Sequence, residues 1–413
     1  MSRGNPAAIP LPASPLPGAA LPAGTPPAGG VPADLDELRA LARDRYAKGQ
    51  LTAAAEAQSA VLATATGTHT QEDYLFAGLI HHLLRRDADA VAAVRAGLGL
   101  YPGNAAMLEN LAVLLLGRLD TAGAIEACQA ALAAGSDSPN VHDCLCEAHQ
   151  RAGRFDRAVE AGRLALQAKD RRFGSIAPLV AMPANPPPAF EAGRPDGNII
   201  AYTLWGDQPR YHVPLLENAR IRPHLFPEWT MRVYHDPAVA PHTLRQLAAH
   251  GVQLRPMRLP PDTPMHSALL WRFEVIADPA VRRFLIRDAD ALLTVKERVA
   301  VDAWLASPFH FHAMRDWYSH TDLLLAGLWG GIGGILPPVA TLLAGYTPWR
   351  MEHDHFDQDL LSAMVWPSIR HNALIHDSIF QPCLGSVAFP PFGALPAGHH
   401  IGQNAFLHFS KSG

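Results

Sequence analysis

The chain has no long block of charge of either sign: 34 Lys and Arg stand against 38 Asp and Glu over 413 residues, a formal net charge of -4. Binding a nucleic-acid backbone takes a concentrated basic face, so no nucleic-acid partner is expected. Cysteine is scarce. Cys128, Cys144, Cys146 and Cys383 have neither the paired spacing of a zinc site nor the density of a disulfide scaffold, and they read as reduced thiols. No stretch stays apolar for the roughly 18 residues that a membrane helix needs. Proline breaks the N-terminal MSRGNPAAIPLPASPLPG where a secretory signal would need an apolar helix. A cytoplasmic protein without a transmembrane segment is expected.

Residues 1–33 are almost wholly Pro, Ala, Gly, Leu and Ser, a composition that buries no core and is expected to be disordered. From Asp34 to about residue 172 the chain turns rich in Ala and Leu, with apolar residues at helical spacing. A period of 34 runs through it. Ala124, Cys128, Ala131 and Leu132 recur as Ala158, Gly162, Ala165 and Leu166, and earlier as Ala90, Val94, Gly97 and Leu98, with small residues where two helices must touch. A fourth copy, slipped by two, holds Gly49, Ala54, Gln58, Val61 and Leu62. Gly153 makes the turn of the clearest repeat, and Arg85 and Leu119 occupy that position in two others.

The stretch AGRFDRAVEAGRLAL, with this period, resembles the tetratricopeptide repeat, and four copies over 34–172 would let neighbours bury each other's faces. The resemblance implies a concave groove that holds a peptide or protein segment. The alternative is an array that only supports the next domain or dimerises.

Residues 173–196 hold six prolines and no helical period, marking a linker or a wrapping connection. In the second domain, 197–413, strand-like runs (198–205, 229–235, 251–257, 283–288 and 309–315) alternate with helical ones, HSALLWRFEVIAD among them. Such alternation predicts a mainly parallel, doubly wound α/β sheet with ligands outside the carboxyl ends of its strands.

Asp288 and Asp290 of FLIRDADALL sit at one such end. Residues i and i+2 of an extended chain point to the same side, and two carboxylates with phosphate oxygens suit Mg²⁺ or Mn²⁺. Solvated aspartates ahead of a helix are the alternative. MEHDHFDQDLLSAMVWP (351–367) opens on acids and histidines and continues as an amphipathic helix, with Asp357 or Asp359 at its start. N-capping would account for one of those aspartates. In GLWGGIGG (327–334) the glycines either admit a ligand close to the backbone or form a surface turn.

A first strand ending in YTLWG, Arg272 in LLWRFEVIAD, the strand-end DAD, the later DQDLL and a near-terminal histidine together resemble metal-dependent glycosyltransferases of the GT-A fold, over about residues 198–405. The fold implied is α plus α/β: a tetratricopeptide array, then a Rossmann-like GT-A domain. The resemblance implies that Asp288 and Asp290 bind Mn²⁺ or Mg²⁺, that Thr203 and Trp205 lie near the nucleotide base, and that Arg272 faces the diphosphate or ribose of a nucleotide-sugar donor. It puts Asp357 beside donor sugar and acceptor hydroxyl, with Gln358 and Asp359 close by. The third metal ligand is a histidine near the C-terminus: His399 in HHIG by spacing, with His376 in LIHDS as the rival. If the anomeric centre inverts, Asp316, Asp357 and Asp377 are the candidates to take the acceptor proton; if it is retained, no dedicated base is needed. The expected function is sugar transfer to an acceptor, a protein recruited by the repeats. The alternatives are a glycan or lipid-linked acceptor, or a scaffold with an inactive transferase domain.

Overall fold

A computed structural model describes residues 34–64, 66–260, 265–347, 356–393, 395–396 and 398–405. The Pro/Ala-rich tail and the acid and histidine residues at 351–355 lie outside the described residues. The chain divides into two compact units between Ala158 and Val159.

The first unit is a helical-repeat array. Its helices are α1 (Leu35–Ala47), α2 (Leu51–Leu62), α3 (Gln71–Leu83), α4 (Asp87–Leu100), α5 (Ala105–Gly117), α6 (Thr121–Ala133), α7 (Pro139–Arg151) and the start of α8 (Phe155–Phe173). Side chains start several of them: Asp34, Asn104 and Asp120 accept hydrogen bonds from the amides of Asp36, Met107 and Gly123. The small residues of the 34-residue period are buried where helices meet. Ala90, Ala124 and Ala158 are fully buried. A Cβ on Gly97 would stand 2.7 Å from Cβ of Tyr74.

One turn ends each of α1, α3, α5 and α7. Gly49, Arg85, Leu119 and Gly153 all have positive φ, between 59° and 71°. The residue after each donates its N–H to a carbonyl five positions back: Gln50 to Arg45, Arg86 to His81, Asp120 to Leu115, Arg154 to His149, at 2.8–2.9 Å. This is the helix-ending bond that favours glycine. A residue with a Cβ costs roughly 1–2 kcal/mol there, and Leu119 is 69% exposed, so its side chain returns little by packing. Leu119→Gly is therefore expected to stabilise the protein by about 1 kcal/mol. Leu119→Ala, which keeps the Cβ, should gain almost nothing in the same urea titration. Equal midpoints for the two variants would remove the strain argument.

The second unit takes up the rest of α8 and a seven-stranded sheet: β1 (Asn198–Leu204), β2 (Thr230–His235), β3 (Gln253–Pro256), β4 (Arg283–Arg287), β5 (Phe311–Arg315), β6 (Leu328–Ile332) and β7 (Ala373–Asp377). The order is β3-β2-β1-β4-β6-β5-β7. β1 to β4 are parallel, and so are β5 and β7. The sheet is mainly parallel, as expected, with one exception: β6 runs antiparallel to both β4 and β5. The cause is the connection: β5 reaches β6 through residues 316–327 without a helix, and a parallel return would need a crossover.

β6 is also the glycine run, read from sequence as a ligand approach or a surface turn. It is a buried central strand. A Cβ on Gly330 would stand 2.5 Å from the Phe284 carbonyl, and one on Gly331 2.4 Å from the Phe311 ring.

α9 (Pro209–Leu225), α10 (Pro241–Ala249) and α11 (Val295–Leu305) supply Leu215, Leu247, Val301 and Trp304 to a core shared with Ile200, Tyr202 and Leu285 of the sheet. α12 (Val339–Ala344) and α13 (Phe356–Leu360) follow later in the chain, and α13 runs on into a π-helical turn, Leu361–Val365. The proline-rich segment wraps this unit. Leu179 and Val180 donate their amides to Ser368 Oγ, Phe190 stacks on Trp229, and Arg283 binds the carbonyl of Pro188. The C-terminal half of α8 belongs here too. Phe380 fills the space beside Gly162, where a Cβ would lie 2.1 Å from the ring. Asp170 accepts from Trp366 and Arg370 at 2.8 and 2.6 Å. No helix among the described residues is long and apolar enough to cross a membrane.

Candidate functional site

From β1 the chain winds outward through β2 to β3, then returns to the other side of β1 as β4. Parallel sheets bind ligands at such a switch point, beyond the strand ends. A cavity of about 340 Å³ lies there. Thr203 and Trp205 line it from the end of β1, Asp288 and Asp290 from the end of β4, and Arg210, Tyr211, Arg272 and Asp357 add to the polar wall.

The turn after β4 is held on two sides. Asn218 of α9 donates to the Ala291 carbonyl at 2.7 Å and accepts the Leu293 amide at 2.9 Å. The Asp290 carbonyl accepts the Ala405 amide at 2.7 Å. Ala289 is buried in the core. Gly327 is required by its neighbour, since a Cβ there would stand 2.0 Å from Asp288 Oδ2.

Arg272 is the fixed centre of charge. HSALLWRFEVIAD, expected as a helix, lies, all but its last residue, within a 3₁₀ helix spanning Met265–Ala277. Residues three apart share a face in that geometry, so Leu269 and Arg272 both reach the cavity. The Arg272 amide donates to Thr203 Oγ1 at 3.0 Å. Its guanidinium binds Asp288, and Asp357 at 2.8 Å, with 4% of the side chain exposed. Burial works against that charge, but Asp288 and Asp357 outweigh it and hold the guanidinium pKa above the ordinary arginine value.

Arg210 is held less firmly. Half exposed, it places Nε and Nη2 on one oxygen of Asp290, at 3.1 and 2.9 Å. Its neighbour Tyr211 lies 6.0 Å from the Trp205 ring, tilted by 33°. Three carboxylates thus meet two guanidiniums, leaving one negative charge in excess. Burial, then the charge of Asp288, push the Asp290 carboxyl above the usual range, with Arg210 opposing.

Gln358, expected close by, lines the cavity as well; the other residues singled out from sequence lie elsewhere. Asp359 is buried without lining the cavity. Asp316 binds Lys296, Ser378 and the Ile401 amide. Asp377 accepts the amides of Ile379 and Phe380 at 2.8 and 2.7 Å. His376 points Nδ1 at Nε2 of His312, 2.8 Å away, and burial takes its pKa down to about 4. His399 is exposed and does not line the cavity. Its segment does return to the site, through Gly402 and Asn404. Among the described residues no group of three His, Cys, Asp or Glu side chains could hold a metal ion. Sequence reasoning missed Arg210, Tyr211 and His320. The first two follow directly on WGDQP, where a proline-started helix leaves the first strand, a cue that was readable. His320 carries no local signal.

These features define a helical-repeat array joined to a mixed α/β unit whose cavity lies at a topological switch point. No protein-family model matches the sequence, and no curated protein does. Among solved structures, the chain is similar over 34% of its length to MamA, at 18% identity, 80% of that chain and a TM-score of 0.32. Over 61% of its length it is similar to a mutant of the Thermobaculum terrenum O-GlcNAc transferase, at 21% identity, 45% of that chain and a TM-score of 0.38. Both TM-scores are low, and the reading of the site rests on its own geometry.

Proposed function

We propose that the chain is a metal-dependent glycosyltransferase of the GT-A type, moving a sugar from a nucleotide-sugar donor to an acceptor, a protein or peptide recruited by the repeat array. The observation that carries the proposal is the meeting of Asp288, Asp290, Arg272 and the Trp205–Tyr211 pair on one cavity at the switch point. An aromatic pair beside fixed cations and paired carboxylates suits a base joined to a diphosphate.

The donor set fits a hard divalent cation such as Mn²⁺ or Mg²⁺, which takes one or two carboxylates and fills its remaining positions with phosphate oxygens and water. Burial raises the Asp290 carboxyl first and repulsion from Asp288 second, and such an ion would relieve the repulsion. Asp288 and Asp290 would hold it, and its charge would stabilise the departing diphosphate. Arg272, locked between Asp288 and Asp357, adds positive charge that needs no reorganisation as the leaving group forms. Trp205 and Tyr211 orient the base. Arg210 can leave Asp290 for a phosphate oxygen.

Purified protein offered a panel of nucleotide sugars with Mn²⁺ should release nucleoside diphosphate. Asp288→Ala with Asp290→Ala should lower that release by about a hundredfold or more. Release that survives the double replacement would overturn the proposal.

A further inference from the structure

His320 lies in the loop joining β5 to β6, with 8% of its surface exposed, and it lines the cavity. The amide of Asp316 donates to its Nδ1 at 2.9 Å. A backbone N–H can only donate, so Nδ1 supplies a lone pair and a neutral ring carries its single proton on Nε2. Burial, then neighbouring His400, hold the imidazole pKa well below its ordinary value, which keeps the ring neutral. His400 meets it edge to face at 5.2 Å and stacks on Trp317 at 4.8 Å, fixing the ring from behind. No described residue accepts a hydrogen bond from Nε2.

We infer that His320 is a ligand-binding residue whose Nε2–H donates to an oxygen of the nucleotide sugar, an inference that rests on the function proposed above. Arg210 and Arg272 already face carboxylates, whereas this neutral donor is unspent. The tautomer also excludes two other roles. With Nδ1 occupied and Nε2 protonated, the ring has no lone pair to give a metal ion or to take an acceptor's proton.

The oxygen belongs either to the sugar or to the diphosphate, and titration calorimetry with Mn²⁺ separates them. UDP and GDP test the diphosphate; UDP-glucose, UDP-N-acetylglucosamine and GDP-mannose test the sugar. Three variants divide the roles of the side chain. His320→Leu removes both contacts. His320→Asn keeps an acceptor for the Asp316 amide but cannot reach as far, and His320→Gln carries an amide N–H close to the position of Nε2. Leu and Asn should each weaken nucleotide-sugar binding about five- to tenfold, and Gln should restore most of it. A loss confined to the sugar-bearing probes assigns a sugar hydroxyl; an equal loss with UDP or GDP assigns a phosphate oxygen. Binding to His320→Asn as tight as to the unaltered protein would overturn the inference, because the Asp316 contact alone would then account for the residue. If no probe binds the unaltered protein, both the inference and the glycosyltransferase reading fall.

Discussion

Replacing Arg272 by leucine is expected to destabilise the protein by about 3–5 kcal/mol and to lower nucleotide release by a hundredfold or more. Leucine is close in bulk to the arginine stem, so the loss comes from charge and not from a cavity. The guanidinium is buried between Asp288 and Asp357 and also reaches the Arg287 carbonyl at 3.3 Å. Without it Asp357, 5% exposed, has lost its guanidinium partner. Removing one member of a buried ion pair costs far more than the pair is worth intact. The expected loss is a large share of the 5–15 kcal/mol that holds a typical domain together, so the variant should be assayed well below its melting temperature.

Asp357→Asn tests the cause. If the penalty of Arg272→Leu comes from a stranded carboxylate, combining the two changes should cost less than the sum of the single ones, by roughly 1–3 kcal/mol. Simple additivity would show that the pair is uncoupled and that the leucine acts some other way. Arg272→Lys should fall between, because one ammonium cannot bridge two carboxylates as a planar fork does. Nucleotide release should track this order: arginine, then lysine, then leucine.

The readable parts of the fold are those set by local pattern. A 34-residue period is a repeated packing requirement, so Ala90, Ala124 and Ala158 reveal the helix contacts directly. Strand ends were readable for the same reason, since RFLIR is a short buried run that stops at acids. β6 was hidden because the two glycines in the middle of LWGGI read as a turn. Its glycines answer to Phe284 and Phe311 on neighbouring strands, which no local window contains. The site divides in the same way. Asp288, Asp290, Arg272 and Asp357 could be picked out by motif order. The partnership of Arg210 with Asp290, 80 residues apart, is made by the switch point. The free hydrogen of His320 is set by the amide of Asp316, a matter of tertiary geometry. Reading the near-terminal HHIG as a metal ligand led to His399, whereas the segment contributes Gly402 and Asn404 to the cavity wall.

Gly327 joins the two motifs that looked separate in sequence, the glycine run and the DAD. Gly327→Ala is expected to reduce nucleotide release about as far as Asp288→Ala, roughly a hundredfold, while lowering stability by no more than about 1–2 kcal/mol. An added methyl would stand 2.0 Å from Oδ2 and 2.4 Å from Cγ of Asp288, a separation no Cβ tolerates. The Asp288 side chain, 39% exposed, can swing away at modest cost, but doing so takes it off Arg272 and out of its place beside Asp290. Gly334→Ala, in the same run, should behave in the opposite way. Gly334 has a φ of 78° and open space where a Cβ would stand, so alanine there should cost about 1–2 kcal/mol of backbone strain and leave nucleotide release intact. The decisive measurement is the double variant. With Asp288 already alanine, the clashing carboxylate is gone, and Gly327→Ala should add no further loss of activity. A second, independent loss would mean that Gly327 serves the site in its own right, by backbone approach to the ligand.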